Sequence, residues 1–101
     1  MNKLTFTLLT ILTLSFSAQS SDMTKLEICT IVSEQASEIM TYRQSNGSMP
    51  ELLTTNTNEA FIEVVVMAYN IPLYRVEKNK RSAIGEFKND IFLWCLDQVN
   101  D

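Results

Sequence analysis

Between positions 23 and 45 no glycine or proline interrupts the chain. Leu26, Cys29, Val32, Ala36, Ile39, Met40 and Arg43 recur there at three- and four-residue steps among polar neighbours. That period predicts an amphipathic helix, with Asp22 placed to cap its start. Asn46-Gly47 supplies the stop, because both residues tolerate the left-handed backbone that ends helices. Ser48-Met49-Pro50-Glu51 has the spacing of a capping box, with proline in the first turn, and predicts a short helix through Leu52 and Leu53. Residues 54–58 are polar, with side chains that compete for backbone hydrogen bonds, and predict a loop ending in a cap at Asn58.

Residues 59–70 read two ways, since Ile62-Glu63-Val64-Val65-Val66 is β-branched enough for a strand. Phe61, Val64, Val65 and Ala68 nevertheless share one helical face, and nothing else in the chain offers a partner strand. We therefore expect a helix, apolar on several sides and hence central and most buried, that ends at Ile71-Pro72. From about residue 76 to 99, Ala83, Ile84, Phe87, Ile91, Trp94 and Cys95 form the clearest stripe, widened by Phe92, Leu96 and Val99. Gly85 interrupts it, and a close helix–helix approach at that glycine would account for its presence. The expected architecture is all-α: a small disulfide-stapled bundle of three long helices and one short one.

Ahead of that domain lies a different pattern. Met1, Asn2 and Lys3 precede an apolar run over residues 4–16, which is shorter than the roughly 18 residues a membrane span requires and is followed by small residues. This reads as a secretory signal peptide over residues 1–20, cleaved after Ser20, with a single helical domain over 21–101. No lasting transmembrane anchor is expected in the mature form. Leu26-Glu27-Ile28-Cys29 is a poor lipoprotein site, because it lies far downstream and carries Glu and Ile where small residues belong.

Export changes the meaning of the two cysteines. In an oxidising compartment a small domain with a limited core uses a thiol pair as a staple. The only intrachain pairing joins Cys29 to Cys95, near opposite ends of the mature sequence, and would bring the start of the first long helix to the end of the last. Closing so long a loop is worth about 4 kcal/mol in the chain-entropy estimate.

Composition narrows the chemistry. The 101 residues carry 8 Lys plus Arg, 12 Asp plus Glu and no His, for a net charge of −4. Without histidine the chain lacks the side chain most used for acid–base work near neutral pH and the commonest metal ligand; two thiols alone leave a zinc shell two ligands short. No cofactor or metal is expected, and an acidic chain is a poor match for nucleic acid. Two carboxylate pairs stand at helical spacing, Glu34 with Glu38 and Glu59 with Glu63. They would serve a carboxylate-dependent cell-wall hydrolase only if held in a desolvating cleft; a solvated helix face is the plainer reading. Arg75, Lys78, Lys80 and Arg81 concentrate positive charge at the start of the last helix, where it opposes the helix dipole; the run reads either as a contact for an acidic partner or anionic headgroups or as a solvated surface partly neutralised by Glu77.

The candidate partner contacts are Arg43 and Gln44 beside the turn, and Tyr69, Tyr74 and Arg75 around the break before the last helix. Tyrosine and arginine there combine apolar area with polar tips. Asn46-Gly47-Ser48 matches the N-glycosylation sequon, which matters only in a eukaryotic secretory pathway.

Cys29, Ile39-Met40, Arg43-Gln44, Gly47, Met49, Ala68-Tyr69, Pro72, Tyr74, Ala83-Ile84, Glu86-Phe87, Asn89 and Cys95 together resemble a group of small exported proteins of bacteria and their phages. The likeness covers most of residues 29–95 as scattered single positions. Leu73 departs from it, standing where the pattern leads one to look for a basic residue. The resemblance implies a periplasmic or secreted bacterial setting and brings no activity with it. The function expected is that of a non-catalytic module, not an enzyme, that binds another envelope or secreted protein as an inhibitor, immunity or accessory factor. An acid-stress chaperone is the alternative by analogy with small helical single-disulfide periplasmic chaperones, and the hydrolase is the third.

Overall fold

The computed structural model describes residues 23–99, so the expected leader over 1–20, its cleavage after Ser20 and the Asp22 cap lie outside the described residues. Four helices follow in order: α1 (Lys25–Gln44), α2 (Met49–Leu53), α3 (Glu59–Tyr69) and α4 (Glu77–Gln98). Among the described residues there is no strand.

The cap of α1 is Thr24. Its hydroxyl accepts from the Glu27 amide at 3.1 Å, and the Glu27 carboxylate accepts from the Thr24 amide at 2.9 Å, a complete capping box. At the other end the chain turns in a Schellman motif, with the Gly47 amide donating to the Tyr42 carbonyl and the Asn46 amide to the Arg43 carbonyl, each at 2.9 Å. Asn46 takes the left-handed conformation, with φ 65°. Gly47 has a different reason: a Cβ there would run into the Tyr42 ring, which would have to move aside.

The expected capping box of α2 is half formed. Ser48 Oγ accepts from the Glu51 amide at 3.4 Å, but the Glu51 carboxylate turns instead to accept the Tyr42 hydroxyl at 3.1 Å. Asn58 caps α3 by accepting from the Ala60 and Phe61 amides at 2.9 and 3.3 Å. With that cap in place the β-branched run is helical, and Val64, Val65 and Ala68 are buried.

Ala36, Ile39 and Met40 of α1 meet Val64, Val65 and Ala68 of α3 and Ala83, Phe87 and Ile91 of α4 in one core. The helix that packs on both of the others is α1, so the central position expected for α3 belongs to α1. The reason is length: α1 is long enough to pair with α4 along its whole extent and still cover α3, which has only three turns. The Cys29–Cys95 disulfide, with Cα atoms 5.5 Å apart, joins the start of α1 to the end of α4. At the opposite end Lys80 reaches Gln44, so the two long helices run antiparallel. Gly85 does not mark a close approach: it is exposed, and a Cβ there would meet nothing within 4 Å. None of the described helices is long and apolar enough to cross a membrane.

Candidate functional site

The antiparallel pairing sets the C-terminal carbonyls of α1 beside the first turn of α4, and it brings the segment between α3 and α4 against both. Lys80, on the wrong end of its own helix dipole, is on the right end of its neighbour's: its ammonium donates to the Gln44 carbonyl at about 2.6 Å. The basic run thus acquires a structural member that periodicity alone does not reveal.

Gln44 itself is 3% exposed. Its amide nitrogen donates to the Pro72 carbonyl at 2.8 Å, and its amide oxygen accepts from the Tyr74 backbone N–H at 3.0 Å. The preceding residue, Arg43, donates from Nε to the Ile71 carbonyl at 3.1 Å, and its guanidinium lies over the Tyr69 ring, 5.0 Å from the centroid. Tyr69 in turn donates its hydroxyl to the Gly47 carbonyl at 2.7 Å. Burial, and to a lesser degree the neighbouring Tyr42 hydroxyl, raises the Tyr69 pKa above its ordinary value, with Arg43 pulling the other way. Two consecutive side chains at the end of α1 therefore grip three backbone groups of residues 71–74. Gln44 is consequently not a surface contact point, because both ends of its amide are occupied inside the protein. Arg43 and Tyr69 are half-buried parts of the same fastening.

What this fastening holds up is exposed. Leu73 is 37% and Val76 56% accessible, Arg75 is exposed between them, and Tyr74 is half-buried. The segment borders an open groove of about 790 Å³ whose lining combines apolar Leu73, Tyr74 and Ile84 with charged Arg75, Glu77, Lys80 and Arg81 and with residues of the end of α1, Gln44 among them. Of the expected contacts, Tyr74 and Arg75 lie at this groove together with the buried Gln44, whose amide is bonded within the protein. Arg81 belongs to the basic run noted in the sequence and Leu73 to the apolar set around the helix break, whereas Val76, 56% accessible, is the residue the sequence reading did not single out.

The remaining candidates are scattered. Glu34 and Glu38 are exposed on α1, whereas Glu59 and Glu63 are exposed on α3 beside an open hollow shared with Ala60 and Ile62. Among the described residues no cluster of three metal-ligating side chains is present. A second hollow of about 440 Å³ lies at the disulfide end, lined by Val32, Ile39, Phe61, Val64 and Trp94 and rimmed by the amides of Gln35 and Gln98. The chain matches no family model, no curated protein and no solved structure. Fold and site define its class by themselves: an all-α, single-disulfide domain that presents a side-chain-braced segment next to a cationic groove.

Proposed function

We propose that the protein is an extracytoplasmic, non-catalytic protein-binding module, acting as an inhibitor, immunity or accessory factor, and that it meets its partner through residues 72–76. The observation that carries this reading is the contrast within one segment. Its backbone is held by Arg43 and Gln44, while Leu73, Arg75 and Val76 remain exposed. A loop ordered before binding loses little conformational freedom on docking, which is the usual route by which a small surface gains affinity. The extracytoplasmic setting is supported by the disulfide, a feature of oxidising compartments, together with the leader-like first residues.

Affinity capture tests the reading. The oxidised chain beginning after Ser20 is immobilised and exposed to a periplasmic extract, in parallel with a Leu73→Ser, Val76→Ser double variant of equal helicity by circular dichroism. A protein retained by the first and lost by the second is the expected result. Equal retention by both, or no retention by either, removes the reading.

A further inference from the structure

We propose that the groove beside residues 73–76 receives an acidic segment of the partner protein, with a carboxylate set against Arg75 and Arg81 and an adjacent apolar side chain seated on Leu73, Tyr74 and Ile84. This rests on the protein-binding reading above and adds the chemistry of what is bound. Three cations line the groove against one carboxylate, Glu77, on a chain whose net charge is −4. The local field is therefore opposite in sign to that of the molecule as a whole, and it selects for approach of a negatively charged partner surface at this place.

The cations differ in what they are doing. Lys80 is engaged with the Gln44 carbonyl, and Arg43, outside the groove, with Ile71 and Tyr69. Arg75 and Arg81 make no hydrogen bond or ion pair among the described residues, although both are exposed and both edge the same space. Two guanidiniums with unused donor forks match carboxylates geometrically, each fork able to take both oxygens. The same groove is lined by Leu73, Tyr74 and Ile84. A ligand that brought charge alone would leave Leu73, Tyr74 and Ile84 in water, and one that brought apolar area alone would bury the guanidinium donors unpaired. The matching occupant carries both, in adjacent residues of one segment. The hollow beside Trp94 has no charged lining at all, so it offers no such discrimination.

A random-peptide display library panned on the oxidised protein provides the probe. Enriched peptides are expected to pair Asp or Glu with a large apolar residue. By fluorescence polarisation, a selected peptide should bind at least about tenfold more weakly to Arg75→Glu and to Arg81→Glu, since each reversal removes an attraction and adds a repulsion. Its binding should also weaken as salt rises. Lys78→Glu, an exposed cation outside the groove lining, should leave the affinity unchanged. Enrichment of peptides without carboxylates, absence of enrichment, or equal losses in the Lys78 and Arg75 variants would overturn the proposal. So would displacement of the peptide by phosphatidylglycerol vesicles at equivalent charge, which would reassign the groove to a lipid surface. Because the capture experiment depends on Leu73 and Val76, a partner retained there but indifferent to Arg75→Glu and Arg81→Glu would remove the acidic segment and leave the binding module standing.

Discussion

Gln44 fastens residues 28 and 30 positions away through a single planar amide, and its own carbonyl receives Lys80 from 36 positions away. Replacing it by leucine roughly keeps the volume and removes the two bonds to residues 72 and 74 along with a weak one to the Met40 sulfur, leaving the Pro72 carbonyl and the Tyr74 N–H to find water in a half-buried place. Gln44→Leu should lower unfolding stability by about 2–3 kcal/mol, the sum of two lost bonds and imperfect resolvation. Urea titration measures that loss, and amide exchange at Tyr74 should accelerate more than the global change accounts for. A loss below about 0.5 kcal/mol would show that the loop is held by packing instead.

The neighbouring Tyr69 gives a pH signature. Its pKa is raised in the folded state, first by burial. The unfolded chain therefore releases this proton at lower pH than the native protein does. The stabilisation is fully present below pH 10.0 and is lost as pH rises through the higher native value. Tyr69→Phe should accordingly flatten the alkaline limb of a stability–pH curve, while costing about 1 kcal/mol at neutral pH for the lost bond to the Gly47 carbonyl. An unchanged alkaline limb would contradict this assignment.

At the scale of elements, the glycine in α4 offers the sharpest test. Gly85 is exposed, in the interior of a long helix, with open space where a Cβ would stand. Gly85→Ala should stabilise the protein by about 0.5–1 kcal/mol, the difference in backbone freedom between the two residues, and a shift of the thermal midpoint in either direction decides the matter.

The four helices, their order and most of their caps were legible because they depend on local rules. The three- and four-residue period of Ala83, Phe87, Ile91 and Cys95 is a property of the helix they form, and so is the amide-accepting side chain of Asn58. Gly85 was misread because a glycine in a stripe has the same sequence appearance whether it faces a neighbour or water. The order of burial was misread for a related reason: the apolarity of α3 says that it is covered, not that it covers others. Arg43, Gln44, Tyr69, Tyr74 and Arg75 lie together around the end of α1 and the segment before α4, but nothing in the sequence divides them into side chains that fasten the backbone and side chains that stay exposed. Hydrogen bonds from the end of α1 to residues 71–74 follow from how three helices pack, and no periodicity encodes them.

For the whole molecule, α1 and α4 form an antiparallel pair tied at both ends, covalently through Cys29–Cys95 and by Lys80 on the Gln44 carbonyl at the other. The disulfide spans 66 positions. Reduction should cost about 4 kcal/mol, within a general range of 2–5, against a total of about 5–15 kcal/mol for an ordinary small domain. Urea unfolding with and without dithiothreitol measures this. A midpoint unmoved by the reductant, with both thiols shown to be free, would mean that the core alone holds the helices together.

Arg43 and Gln44 take hold of the carbonyls at 71 and 72 and the N–H at 74, groups that do not depend on side-chain identity outside proline, and they make no hydrogen bond to the side chains at 73, 75 and 76. Substitutions at those three places leave the scaffold's anchorage intact. A lineage built on this plan could retarget itself by rewriting a few letters, in the way a key blank accepts new teeth without change to its shank.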